Sequence, residues 1–211
     1  MTDTARFLAL GDSYTCGEGV PTEGTWPFRL VERLREEGLE IAPPEVVART
    51  GWTTDELLVG IGDSGPLGEY HLVTLLIGVN NQYRARDLAA YEEEFGQLLE
   101  IAIARAGGDP GRVLVLSIPD WGVTPFADGR DRAAIRGGID AFNAVNRAAA
   151  RAAGAGYVDV TESSRRVGSD RGLLVADGLH PAAAMYDEWA RLALPAARRA
   201  LLRSRPSEDT V

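Results

Sequence analysis

A serine, an aspartate and a histidine in this sequence have the types and spacing that nucleophilic catalysis requires. Ser13 lies in the segment GDSYTCGEG, and Asp177 precedes His180 by three residues in the segment DGLHP. In a short loop, that spacing lets the Asp177 carboxylate accept a hydrogen bond from Nδ1 of His180 while Nε2 points outward. A serine hydroxyl needs a base oriented in this way. The ordinary alternative is that Ser13 is a turn residue or helix cap and that Asp177 caps its own turn.

The tripeptide GDS occurs a second time, with Ser64 in the segment GDSGP. That segment is similar to the nucleophile segment of chymotrypsin-like proteases, which are all-β proteins whose histidine precedes their serine. Both histidines of this chain, His71 and His180, follow Ser64. No strand is predicted directly before Ser64 either. We therefore predict that Ser64 lies in a surface turn and that Ser13 is the candidate nucleophile.

The composition excludes several other kinds of chemistry. All 22 basic residues are arginine, so a Schiff-base lysine, a pyridoxal phosphate site and a Walker-type phosphate loop are excluded. Cys16 is the one cysteine, which leaves no intrachain disulfide and no thiolate metal cluster. Two histidines cannot form a multi-histidine metal site. We predict that the chain uses no metal and no cofactor.

Charge and hydropathy narrow the range of partners. The formal net charge is -9 over 211 residues, with no long basic cluster, so nucleic acid and anionic membranes are poor candidate partners. No apolar run approaches the roughly 20 residues that cross a bilayer, and the opening segment MTDTARFLAL lacks the pattern of a secretory signal. We predict a cytoplasmic protein that acts on a small molecule. Its oligomeric state is left open.

Strands and helices alternate along the chain, and apolar strands of this kind are buried on both faces by helices. The pattern predicts a three-layer α/β/α sandwich around five parallel strands, as one domain over 1–204 with a frayed tail at 205–211. The predicted strands lie within 6–10, 44–50, 71–78, 112–120 and 156–160. The predicted helices are 25–38, one starting at 53, 87–106, 131–153 and 180–202.

Ligands of such sheets bind at the carboxyl ends of the strands. Four segments in order, three after strands and one before the closing helix, make the chain resemble the SGNH (GDSL-type) esterase family, whose fold is flavodoxin-like. These segments are GDSYTCGEG, RTGWT with Gly51, IGVNN with Asn80, and DGLHP. The resemblance implies that Ser13 is the nucleophile, that His180 is the base and that Asp177 orients it. It also implies an oxyanion hole made by the backbone N–H groups of Ser13 and Gly51 and the Asn80 amide.

One position departs from the family pattern, because Asn81 stands where the family usually has aspartate. We expect Asn81 to cap or bridge loops near the site. We predict a substrate pocket formed by residues near the carboxyl edge: Tyr14, Trp52, Asn81, Trp121 and Phe126, with Tyr83 as a further candidate. Aromatic residues at these positions could equally belong to the core.

The predicted function is a serine esterase for short-chain acyl esters that forms an acyl-enzyme. The alternatives are a thioesterase, a deacetylase of carbohydrates or natural products, and a binding protein without hydrolytic activity.

Overall fold

The computed structural model describes residues 4–65, 68–168 and 170–203. Its strands form one parallel sheet in the order β2-β1-β3-β4-β5, which is the order of flavodoxin-like folds. The prediction of five parallel strands is confirmed. The strands are β1 (Phe7–Gly11), β2 (Glu45–Ala48), β3 (Leu72–Leu76), β4 (Val113–Leu116) and β5 (Gly156–Val158).

Helices cover both faces of the sheet, which completes the predicted three-layer sandwich. They are α1 (Ser13–Cys16), α2 (Trp26–Glu36), α3 (Thr54–Asp63), α4 (Val79–Tyr83), α5 (Leu88–Arg105), α6 (Arg132–Ala153), α7 (Thr161–Arg165) and α8 (Ala183–Leu201). Helix α2 packs against α8, and α8 contacts β3, β4 and β5. Helices α3, α5 and α6 pack in succession, with α5 on β3 and α6 on β4 and β5.

Strands β1, β3 and β4 are buried along their whole length, because helices exclude water from both faces. In the register of the sheet, Gly11 at the end of β1 lies opposite Ala48 of β2 and Leu76 of β3. These three strands therefore end level with one another. The segments that follow them, with Ser13, Gly51 and Asn80, emerge at one edge.

Local capping fixes most of the predicted helix starts. Asp87 accepts hydrogen bonds at the start of α5, and Asp131 does so at the start of α6. Thr53 and Glu56 form the predicted capping box of α3. Thr25 precedes α2 as predicted, but its hydroxyl donates to the Thr22 carbonyl instead of capping the helix.

The closing helix begins later than predicted. It starts at Ala183 rather than at His180, because Pro181 forms an isolated bridge with Leu174 and the His180 carbonyl accepts from the Val175 backbone N–H. His180 therefore lies in a loop that is tied to the preceding segment. Pro195 lies inside α8.

Ser64 ends helix α3, where its hydroxyl donates to the Gly60 carbonyl. The predicted turn around it extends to Pro66, and the predicted frayed tail covers 205–211; both reach outside the described residues. The single domain over 1–204 stays a prediction. Within 4–65, 68–168 and 170–203, no helix is long and apolar enough to cross a membrane.

Candidate active site

Ser13 is presented by the sharp passage from β1 into α1. The passage needs glycine at position 11, since a Cβ there would lie 2.2 Å from Oγ1 of Thr15 and 2.4 Å from the Leu76 carbonyl oxygen. Asp12 then caps α1 by accepting from the Tyr14 backbone N–H at 3.0 Å. Ser13 is the first residue of the helix. Its own N–H therefore has no acceptor within the helix.

The structure brings Ser13, His180 and Asp177 into one hydrogen-bonded chain. Nε2 of His180 lies 2.9 Å from Oγ of Ser13, and Nδ1 of His180 lies 2.6 Å from Oδ2 of Asp177. Ser13 and His180 are buried, while about two fifths of the Asp177 side chain is exposed (41%). The Tyr14 ring packs on the imidazole with centroids 5.3 Å apart.

Asp177 is held as a carboxylate by its own loop. Its Oδ1 accepts from the backbone N–H groups of Leu179 and His180, at 2.8 and 2.9 Å. Partial burial opposes ionisation, but the hydrogen bonds from the His180 side chain and from the two backbone groups outweigh it. The pKa of Asp177 is therefore held below its usual value. A carboxylate here favours the His180 tautomer that carries its proton on Nδ1, which leaves Nε2 free to accept from Ser13.

Asp12 is a buried carboxyl group directly behind the nucleophile. It is fully buried, and its Oδ2 has no hydrogen-bond partner among the described residues. Burial raises the pKa of Asp12 to about 7, although hydrogen bonds from backbone N–H groups partly oppose this. Burial also raises the pKa of the neighbouring Tyr14 and Tyr186 hydroxyls, so both stay neutral.

The three predicted oxyanion donors lie at the same edge of the sheet. Asn80 lines the same small cavity as Ser13. Its Nδ2 donates to the Trp52 carbonyl at 2.9 Å, which leaves the second amide hydrogen available. Gly51, next to Trp52, has a φ of 87°, and its carbonyl accepts from Nη2 of Arg84 at 2.6 Å. Arg84 thus holds the loop that carries the Gly51 N–H.

The cavity at Ser13 is small and largely aromatic. Its volume is about 80 Å³, well below the roughly 300 Å³ at the lower end of common ligand pockets. The structure places three of the predicted pocket residues here, together with residues that the sequence did not single out. The lining residues are Ser13, Tyr14, Val79, Asn80, Tyr83, Trp121, Phe126, Leu179 and His180.

Two predicted pocket residues lie outside this cavity, which corrects the prediction. Asn81 is buried, with Oδ1 accepting from the Thr54 backbone N–H at 3.1 Å and Nδ2 donating to the Thr54 hydroxyl at 2.6 Å. It bridges α4 to the start of α3, as expected from its place in the sequence. The Trp52 ring packs against Gly60 of α3, where a Cβ would lie 2.1 Å from it.

The remaining nucleophile and base candidates lie apart from this arrangement. His71 precedes β3, at the amino end of the sheet, and its Nδ1 accepts from the Arg6 backbone N–H at 3.1 Å. Burial raises the pKa of the Cys16 thiol, which makes it a poor nucleophile. A larger hollow of about 840 Å³ lies beside α6 and β5, but neither Ser13 nor His180 lines it.

The comparisons with known proteins agree with this architecture. The profile of the GDSL-like lipase/acylhydrolase family matches residues 9–188. Sequence comparison with curated proteins gives no significant match. Similar solved structures include TesA, with a TM-score of 0.72 and 24% identity over 93% of this chain and 99% of that one.

Two further solved structures share the fold at similar identity. One is Axe2, an acetylxylan esterase from Geobacillus stearothermophilus, with a TM-score of 0.69 and 21% identity over 95% of this chain and 97% of that one. The other is phospholipase A1 from Streptomyces albidoflavus NA297, with a TM-score of 0.66 and 21% identity over 93% of this chain and 99% of that one.

Proposed function

The chain belongs to the GDSL-like lipase/acylhydrolase family, a family of ester hydrolases, and from that premise we propose that it hydrolyses short-chain acyl esters through an acyl-enzyme on Ser13. The observation that carries the proposal is the continuous hydrogen-bonded chain from the Ser13 hydroxyl through His180 to the Asp177 carboxylate. A serine with its base in reach, and a base oriented by a third group, is the arrangement of an activated nucleophile.

In the proposed reaction, Oγ of Ser13 attacks the acyl carbonyl carbon while Nε2 of His180 takes the hydroxyl proton. The tetrahedral intermediate collapses as the alcohol leaves, and the imidazolium returns the proton to the alcohol oxygen. Water then attacks the acyl-enzyme and gives its proton to His180. The acid departs, and the proton returns to Ser13. Asp177 stabilises the imidazolium in both halves of the reaction.

The developing oxyanion needs donors that are already in place. We assign this role to the backbone N–H groups of Ser13 and Gly51 and to the amide of Asn80. The proposal is supported by the helix-start position of Ser13, by the bond that anchors Asn80 to the Trp52 carbonyl, and by the bond that anchors Gly51 to Arg84. Fixed donors do not have to reorganise when charge appears on the oxygen.

The size of the cavity supports short acyl groups, roughly acetyl to hexanoyl. A long acyl chain gains about 0.8 kcal/mol for each methylene that it buries, but a hollow of about 80 Å³ offers little room for such burial. Trp121 and Phe126 meet at a centroid distance of 6.1 Å and contribute to the closed wall. The acyl group occupies this cavity in our proposal, and the alcohol part of the substrate extends outward.

A second candidate, removal of acetyl groups from a carbohydrate, follows from the rim of the cavity. The Tyr83 and Phe126 rings are 41% and 40% exposed. They offer apolar faces to the alcohol part of an ester. Thioester hydrolysis uses the same groups, and turnover of matched ester, thioester and acetyl-sugar substrates distinguishes the three activities. The small-molecule partner and the cytoplasmic location stay predictions.

A pair of serine variants tests the proposed nucleophile. We expect Ser13→Ala to abolish hydrolysis of p-nitrophenyl acetate and Ser64→Ala to keep it near the wild-type rate. The Ser64 hydroxyl has only a local bond to the Gly60 carbonyl, so the second variant is a matched control for replacing a GDS serine. Equal loss of activity in both variants would overturn the assignment.

A further inference from the structure

The rim of the catalytic cavity carries an arginine above its aromatic wall. The guanidinium carbon of Arg130 lies 5.2 Å from the Tyr83 ring centroid, 5.5 Å from that of Trp121 and 5.6 Å from that of Phe126. All three rings line the cavity that holds Ser13. Stacking on ring faces is typical of arginine, whose guanidinium is planar and weakly hydrated.

Arg130 has no carboxylate partner among the described residues, although the chain is strongly acidic. The two acidic residues nearest in sequence are already engaged. Asp128 pairs with Arg132 at 2.7 Å, and Asp131 caps helix α6 by accepting from the Ala134 backbone N–H at 2.9 Å. The side chain of Arg130 has one weak polar contact, from Nη2 to the Tyr83 hydroxyl at 3.4 Å. Most of its N–H donors therefore remain available to a ligand at the mouth of the site.

We propose that Arg130 binds a carboxylate on the alcohol part of the substrate, so that the preferred substrates are short-chain acyl esters of hydroxy acids. The inference rests on the proposed function, in which the acyl group fills the cavity and the alcohol part crosses the exposed rings of Tyr83 and Phe126. The alcohol part then reaches the guanidinium that stacks on those rings. A carboxylate can accept two parallel N–H bonds from one guanidinium.

The charge at the rim favours a carboxylate over a phosphate. A carboxylate carries one negative charge, which one guanidinium matches. A phosphate monoester carries up to two at neutral pH and calls for a second cation. Arg84, which also lies on the oxyanion side of the site, is paired with Glu56 at 3.3 Å and bonded to the Gly51 carbonyl. It is therefore already neutralised within the protein.

The test compares kcat/KM for two acetate esters of equal size, 3-carboxyphenyl acetate and the neutral 3-carbamoylphenyl acetate. Two charges about 5 Å apart at a partly exposed site interact strongly enough for a preference of about tenfold. We expect wild-type enzyme to prefer the anionic ester by that factor and to lose most of the preference in 1 M salt. Arg130→Gln should bring the ratio close to one. Arg130→Lys, which keeps the charge, should retain much of it.

Arg151→Gln is the matched control, since Arg151 is also an arginine without a carboxylate partner in the described residues and lies on α6 beside the larger hollow. It should keep the wild-type ratio. A wild-type ratio near one would overturn the proposal. So would an Arg130→Gln variant that slows both esters equally, because Arg130 would then only support the rings. A stronger preference for 3-phosphonooxyphenyl acetate than for the carboxylate would also refute it.

Binding of the product 3-hydroxybenzoate, measured by calorimetry, tests the same contact without turnover. We expect wild-type enzyme to bind it about tenfold more tightly than Arg130→Gln does. Equal affinity would overturn the carboxylate site. Absence of hydrolysis of either ester, with this binding difference intact, would refute the proposed esterase and leave the anion site standing.

Discussion

Replacing Asp12 by asparagine should make the free energy of unfolding less dependent on pH. The wild-type carboxyl is fully buried and has one oxygen without a partner among the described residues. Burial raises the pKa of Asp12 from its usual 3.8 to about 7. The folded state therefore binds this proton more tightly than the unfolded state does. Stability from the neutral carboxyl is complete below about pH 3.8 and is lost progressively as the pH rises to about 7.

The magnitude follows from the difference between the two pKa values. One pKa unit corresponds to about 1.4 kcal/mol, so the full loss is about 4 kcal/mol. About half of it, roughly 2 kcal/mol, falls between about pH 5.5 and about pH 8, where unfolding can be measured away from strong acid. Asparagine has no titrating proton, and its side-chain oxygen can still cap α1 by accepting from Tyr14.

The assay is urea unfolding of wild type and Asp12→Asn at several pH values. The difference in unfolding free energy between the two proteins should move by about 2 kcal/mol in favour of the variant from about pH 5.5 to about pH 8. Titration of groups that the two proteins share cancels in that difference. A difference that stays constant over this range would refute the reasoning, because it would mean that Asp12 ionises normally in the folded protein.

Three further outcomes are expected of the site. Asn80→Ala should lower kcat by about 100- to 1000-fold with little change in KM, since the lost donor acts on the oxyanion; a large rise in KM at unchanged kcat would make Asn80 a ground-state binding residue. Asp177→Asn should lower kcat by on the order of 10³- to 10⁴-fold through the wrong His180 tautomer, and wild-type turnover would contradict the assigned relay. Across p-nitrophenyl esters, kcat/KM should peak between acetyl and hexanoyl, and a value still climbing at decanoyl would show a groove longer than the cavity at Ser13.

Patterns that act over a few residues predicted much of the fold. The apolar strands and the Thr53–Glu56 capping box depend on neighbours in sequence, and both are found where expected. The start of the closing helix was wrong because the Val175–His180 backbone bond and the bridge at Pro181 depend on a segment folding back on itself. Hydropathy does not show such a return of the chain.

The site shows the same division between short and long range. The approach of Ser13 to His180 spans 167 residues, and the strand order that produces it was foreseeable because level strand ends gather at one edge. The placement of Asn81 was not foreseeable, since its partner Thr54 belongs to a different loop. Arg130 gave no signal in the sequence, because its significance lies in three rings that meet only in the folded chain.

The most direct test of the central claim is the site of covalent labelling by a fluorophosphonate, mapped by mass spectrometry of peptides from the inactivated protein. The account predicts one phosphonyl adduct, on the peptide that contains Ser13, formed in step with the loss of esterase activity and absent from Ser13→Ala. An adduct on the peptide that contains Ser64, or full inactivation with Ser13 unmodified, would contradict it.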